Sequence, residues 1–298
     1  MGSSFLPYLA PWDFSPTVVL VCTLTAVLYI RGLAAVRQRG IHPGFWRPFS
    51  FLLGLVLIYG MLQTYVDFLS QHMFWVHRLQ HLVLHHLAPF LMVIALPGPI
   101  LREGIPARWR SAESALWHRG GIRQVMKLLQ NPLVAGFVFV GLIYFWLIPS
   151  IHFTAMLDVR RYRLMNWSMA VDGVFFWWLM LTPRSAQGSA AVPYGPRVVV
   201  LVVTGFLQLL LGFYIVVDKT LLYTVYAVCG RAWAIVPLID QQIGGCITWI
   251  PPGMMSLAGI LVVIHHALRD DRRSRVQSGP ASSSVLASTP SAAAAAAR

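Results

Sequence analysis

Apolar residues run in seven long blocks along the chain, near 17–36, 49–69, 74–96, 132–150, 164–182, 197–217 and 244–268, with polar residues collected between them. A helix rises about 1.5 Å per residue, so about twenty apolar residues cross the hydrocarbon core of a bilayer. The blocks lack the ten-residue alternation of outer-membrane strands. Backbone groups in lipid must also be satisfied within their own segment, which leaves helices. The pattern predicts an all-α polytopic membrane bundle of about seven transmembrane helices, forming one domain over residues 1–275.

Composition supports lipid as the main solvent: 57% of the 298 residues are hydrophobic and 11% are charged, too few charges to cover a surface in water. The formal net charge of +13 would suit nucleic acid. The basic residues sit between apolar blocks rather than in a base-reading motif, however, so no nucleic-acid partner is expected. All 23 Lys and Arg residues except Arg78, Arg160, Arg161, Arg163, Lys219 and Arg231 fall on one side of the predicted bundle. By the positive-inside rule that side is cytoplasmic, which places the N-terminus outside and the C-terminus in the cytoplasm. No Lys or Arg precedes the first block. It therefore lacks a secretory n-region and is expected to stay as a helix.

The connection over residues 102–131 mixes Trp109, Leu116, Trp117 and Val125 with six cations. It is expected to lie as an amphipathic helix on membrane lipid with anionic headgroups. Residues 276–298 are rich in Ser, Ala and Pro and are expected to form a disordered tail. Cys22, Cys229 and Cys246 allow at most one disulfide and match no zinc spacing.

The third block carries the most chemistry. In QHMFWVHRLQHLVLHHLAPF, the residues Met73, His77, His81 and His85 recur every four positions and form one helical stripe that starts at the outer end. His86 lies on a different face. Imidazole and thioether suit Cu(I), and a row of them would let a soft ion step between ligands. Polar groups inside a membrane are costly and usually functional. Two readings stay open beside copper: hydrogen-bonded packing histidines, and two imidazoles clamping a haem iron.

The fifth block adds Met165, Met169 and Asp172 at i, i+4 and i+7. A carboxyl this deep must be protonated, paired or beside a cation, while the Met residues alone would serve as core filling. At the outer helix ends stand Asp67, His152, Asp158, Asp218 and Asp240, a set that would attract cations, although helix-end solvation explains any one of them. No GxxxxGK[ST], GxSxG or HExxH motif occurs, so the chain is not expected to be an enzyme of those classes.

Three stretches, HRLQHLVLHHLAPFLMVIALPGP from His77, GVFFWWLML from Gly173 and DQQIGGCITWIPPGM from Asp240, resemble the CtaG family of bacterial cytochrome c oxidase assembly factors. This is the multi-helix kind associated with caa-type oxidases. The similarity runs from about residue 45 to residue 270 and includes Asn131-Pro132, Tyr144, Pro149 and His152. It implies a multi-pass protein of the bacterial inner membrane without catalytic turnover, which helps copper reach a haem-copper oxidase subunit. His77 and His81 match the family's H-x-x-x-Q-H, and Asp240, Gln241 and Gln242 match its DQQ. Asn166 stands where the family leads one to expect a histidine. Either Met165, Met169 and Asp172 substitute for that histidine here, or it is not a ligand.

Residue chemistry and resemblance together give one expectation. Copper, as Cu(I), arrives from the periplasm, with a periplasmic carrier as a possible source. It is held by Met73, His77, His81 and His85 with His152, Asp67, Asp172, Met169 and Asp240 around them, and it is handed sideways to the oxidase. The alternatives are a haem protein using His77 or His81 with His152, a copper importer continuing to His265 and His266, and an assembly scaffold whose histidines pack.

Overall fold

The computed structural model describes residues 13–110, 120–187 and 192–277, and every regular element among them is a helix. The long elements are α1 (Pro16–Gln38), α2 (Trp46–Gln63), α3 (Tyr65–His72), α4 (Phe74–Leu82), α5 (Ala88–Ile94), α6 (Gly98–Gly104), α7 (Gly120–Leu129), α8 (Pro132–Leu147), α9 (Pro149–Leu157), α10 (Val159–Leu181), α11 (Tyr194–Val217) and α12 (Pro237–Gln277). A π-turn, Val83–Leu87, joins α4 to α5. Five single helices are long and apolar enough to cross a membrane. Two pairs bent by 79° and 75°, α4–α5 with α6 and α8 with α9, raise the number to as many as seven.

The apolar blocks are therefore helices, but three of them break. The second stops at Gln63, where Thr64 becomes extended and its hydroxyl accepts from the Val66 N–H, starting α3. The fourth bends at Ile148, because Pro149 supplies no N–H and disfavours helical geometry in the residue before it. The third switches to π geometry at Val83, one residue after the Leu82 that ends α4. The last element is longer than its apolar block, since α12 runs through Pro251 and Pro252 to Gln277.

Capping accounts for two outer acids and for the NP pair. Asn131 accepts from the Leu133 N–H at the start of α8, Asp158 from the Arg160 N–H at the start of α10, and Asp218 from the Thr220 N–H after α11. All three cysteines are free. Of the expected amphipathic connection, residues 111–119 lie outside the described residues, while α7 is helical with Val125 and Leu128 exposed. Residues 278–298 of the expected tail also lie outside them.

Two close approaches place the histidine-bearing segment. A Cβ on Gly173 of α10 would stand 2.4 Å from the His85 carbonyl oxygen, so only glycine lets α10 lie against the π-turn. The Trp177 indole then donates to that same carbonyl at 3.2 Å, satisfying a backbone group of the irregular turn. On the other side, a Cβ on Gly244 of α12 would stand 2.3 Å from the Phe74 ring. The GVFFWW and DQQIGG stretches thus clamp α4 and its π-turn from two directions. The packed cluster around the upper part of α4 contains Phe74, Trp146, Met156, Tyr162, Met165, Met169 and Tyr226.

Candidate metal site

Met73, extended and buried, is the N-cap that precedes α4. The first two amides of α4, from Phe74 and Trp75, donate to the Asp240 carboxylate at 3.2 and 2.9 Å, and Arg231 pairs with the same carboxylate. An anion at the unsatisfied amides of a helix start is favourable, so Asp240 acts as a tertiary N-cap. Gln241 reinforces the joint by accepting from Leu222 N–H at 2.8 Å and donating to the Thr220 carbonyl at 3.0 Å.

From this anchored start, His77 and His81 project one turn apart, with ring centroids 4.3 Å from each other. The bend at Pro149 carries His152 of α9 back toward them, its ring 5.1 Å from that of His77. All three are buried. His152 Nδ1 lies 3.1 Å from the Trp146 carbonyl and Nε2 lies 3.0 Å from the Tyr226 hydroxyl. A carbonyl only accepts, so Nδ1 carries the proton and Nε2 turns its lone pair to the tyrosine O–H. The ring is thus neutral, as a metal-binding histidine must be, and is oriented by the Trp146 carbonyl, with its Nε2 lone pair engaged by Tyr226.

His81 follows the same logic in reverse. Its Nε2 donates to Asn166 Oδ1 at 3.1 Å, which leaves Nδ1 with a buried lone pair and no partner. Neither ring nitrogen of His77 makes a hydrogen bond of ordinary geometry among the described residues, although the Ser70 backbone comes near the ring. Leaving a buried polar atom unpaired costs about 1–3 kcal/mol, and here several such atoms share one place. The unused capacity is largely lone pairs, the part of an imidazole that a soft cation uses.

A cavity of about 200 Å³ opens beside this cluster. It is lined by Asp13, Asp67, Gln71, Met156, Tyr162 and Asn166, the last being the residue bonded to His81. Asp67 accepts from Tyr162 at 2.7 Å, Gln80 at 2.8 Å and Gln71 at 3.0 Å. Burial pushes its carboxyl above the usual range, and those three donors oppose the shift.

The stripe changes partners below His81. In the π-turn, His85 Nε2 lies 2.9 Å from Asp172 Oδ2 and His86 Nε2 lies 2.8 Å from Gln208 Oε1, while both Nδ1 atoms are buried without partners. The Asp172 side chain is 12% exposed. Between the two levels is a void of about 10 Å³, the size of one water, lined by Arg78, His81, His86, Met169, Gln208 and Thr248 among others. Arg78 is buried, donates to Thr248 Oγ1 at 2.8 Å and has no carboxylate partner among the described residues.

Of the predicted site residues, the structure brings His77, His81 and His152 together, with Met169 at the void beside His81. His85 and Asp172 form a separate, deeper pair, Asp67 belongs to the cavity network, Asp240 is taken up by the helix cap, and Met73 lies at the start of α4. Among the described residues, no group of three or more His, Cys, Asp or Glu side chains converges on a single metal position. His81 Nδ1 is free while its Nε2 stays on Asn166, so a three-imidazole site needs only the His152 ring to turn from Tyr226, or thioethers to complete it. Spacing alone missed Tyr226, Gln208 and the role of Arg78. The one signal for Arg78 was a lone cation inside an apolar block.

Comparisons with known proteins bear on what this arrangement serves. The chain matches, over residues 27–270, the family described as cytochrome c oxidase caa3 assembly factor (Caa3_CtaG). It is also 25% identical over 278 residues to a Mycobacterium bovis protein and to a Mycobacterium tuberculosis protein, both described as uncharacterized. Each alignment covers 89% of this chain and 40% of the relative, so the chain spans about two fifths of the length of these curated relatives. No solved structure matches.

Proposed function

The chain belongs to the cytochrome c oxidase caa3 assembly factor family, and we propose that it serves assembly by carrying Cu(I) as cargo on His77, His81 and His152 and passing it to a haem-copper oxidase subunit. The observation that carries this reading is the packing of the buried His81 and His152 rings against His77, itself lacking ordinary hydrogen bonds, beside a cavity whose lining includes His81's own partner, Asn166. Cu(I) favours imidazole and thioether donors, and Met156 and Met169 border the approach and the floor. Such a transfer exchanges only copper–ligand bonds, with Cu(I) unchanged in oxidation state and no covalent bond altered, so no catalytic turnover is required.

Two features favour a delivered ion over the alternatives. The His77 ring packs against those of His81 and His152, which favours a single ion over a porphyrin needing a slot between two imidazoles. Arg78 lines the void between His81 and His86, and a fixed guanidinium in a poorly solvated place repels a cation moving deeper. That favours release from the upper level over passage to His265 and His266.

In this reading the protein sits in the bacterial inner membrane with the Asp67 cavity on the periplasmic side, where a copper carrier would load it. The unequal distribution of Lys and Arg supports that orientation. A reporter active only in the periplasm is expected to work when fused after Asp158 and to fail after Gln277. Activity at Gln277 would reverse the topology.

Purified full-length protein in detergent, titrated with Cu(I) against a chromophoric chelator, tests the cargo. Binding near one Cu(I) per chain without a Soret band is expected. A stoichiometric Soret band with no Cu(I) binding would replace copper with haem.

A further inference from the structure

The opposite end of the bundle carries a second feature, independent of copper. Asp67 and the histidines lie near the C-terminal end of α2 and the N-terminal ends of α4 and α10. A groove of about 520 Å³ lies instead at the N-terminal end of α2, the C-terminal ends of α5 and α10, and the last third of α12. Its lining includes Arg47, His265, His266, Arg269 and Arg273. Its wall is apolar, with Ile94, Leu181, Leu261 and Val262.

The cations converge by design of the helix. Val262, His266, Arg269 and Arg273 recur at intervals of three or four and share one face of α12, and Arg47 joins them from α2. Like charges at i and i+4 repel, so Arg269 and Arg273 oppose each other unless an anion lies between them. None of the three arginines has an ion pair among the described residues. The acid in the groove, Asp270, instead accepts from the Tyr194 hydroxyl at 2.5 Å. The arginines are exposed.

Water or a free anion would satisfy the guanidiniums but not the apolar wall beneath them, and a hydrocarbon chain alone would do the reverse. An amphiphile with an anionic head satisfies both at once, and basic clusters at a membrane boundary attract such headgroups. We infer that this groove binds one phospholipid with an anionic phosphodiester headgroup, its phosphate among Arg47, Arg269 and Arg273 and its upper acyl carbons against Leu181, Leu261 and Val262.

The test uses full-length protein in neutral detergent, incubated with equal amounts of phosphatidylglycerol and phosphatidylcholine of matched chains. Retained lipid is counted by native mass spectrometry. The natural chain is expected to retain phosphatidylglycerol over phosphatidylcholine by at least about fivefold. The Arg47→Gln, Arg269→Gln, Arg273→Gln variant should fall to parity. A variant losing the same charge at the other end, Arg160→Gln, Arg161→Gln, Lys219→Gln, should keep the preference. Arg269→Lys, which keeps charge and helix propensity, should keep most of it and guards against a folding artefact. Parity in the natural chain, or an undiminished preference in the groove variant, would overturn the proposal. Loss of the preference in excess inorganic phosphate would also overturn it, in favour of a free-anion site.

Discussion

Asn166 Oδ1 lies 3.1 Å from His81 Nε2, so the position where the resemblance led one to expect a histidine touches a histidine of the H-x-x-x-Q-H stretch. The bond places the proton on Nε2 and the lone pair on Nδ1, and it holds the ring beside His77. Asn166 is thus a positioning residue. Asn166→Leu removes the acceptor, leaves a buried N–H unpaired at a cost of about 1–3 kcal/mol, and frees the ring. Cu(I) affinity of the purified variant, measured by chelator competition, is expected to fall about 10–100-fold. Unchanged affinity would show that Asn166 only fills space.

The deeper pair answers to a different substitution. His85 Nε2 and Asp172 share a hydrogen bond, so Asp172→Asn, whose amide can accept or donate, keeps a partner where Asp172→Leu keeps none. The Leu variant should accumulate less folded protein by an amount corresponding to about 1–3 kcal/mol, and the Asn variant should stay near the natural level. Fluorescence-detected size exclusion of detergent extracts makes the comparison. Equal recovery of the two would mean that the pair contributes nothing to stability.

Gly173 tests the fold that presents the histidines. A Cβ there meets the His85 carbonyl oxygen at 2.4 Å, whereas a Cβ on Gly141 of α8 meets nothing within 4 Å. Gly173→Ala is expected to destabilise the protein by about 1–3 kcal/mol as α10 is forced off the π-turn. Gly141→Ala should be neutral or slightly stabilising, because Ala favours helix. Melting temperatures of the two purified variants should therefore separate. Coincident values would show that the π-turn has room to move.

The apolar blocks were readable because a bilayer demands about twenty apolar residues per crossing whatever the tertiary structure. Thr64, Ile148 and the π-turn were not, since each changes backbone geometry without changing hydropathy. The four-residue spacing sets His77 and His81 one turn apart on α4, but Met73 is extended at the N-cap and stands outside that helix. The spacing then lost its meaning at His85, where π geometry turns that ring to Asp172. His152 could be listed among outer polar groups, but its approach to His77 depends on the bend at Pro149. Asp240 illustrates the other limit: its carboxylate caps a helix more than 160 residues earlier in the chain, and no local spacing signals a cap that comes from another element.

Oxidase activity at limiting copper, normalised to the amount of this protein in the membrane, tests the copper-carrying role most directly. His77→Ala removes a donor, His77→Met restores a soft one, and His77→Gln restores only polarity and rough size. A copper-carrying His77 predicts low activity for Ala, partial recovery for Met and none for Gln. Full activity in the His77→Ala, His81→Ala double variant at limiting copper would contradict that role and leave the histidines as packing residues of an assembly scaffold.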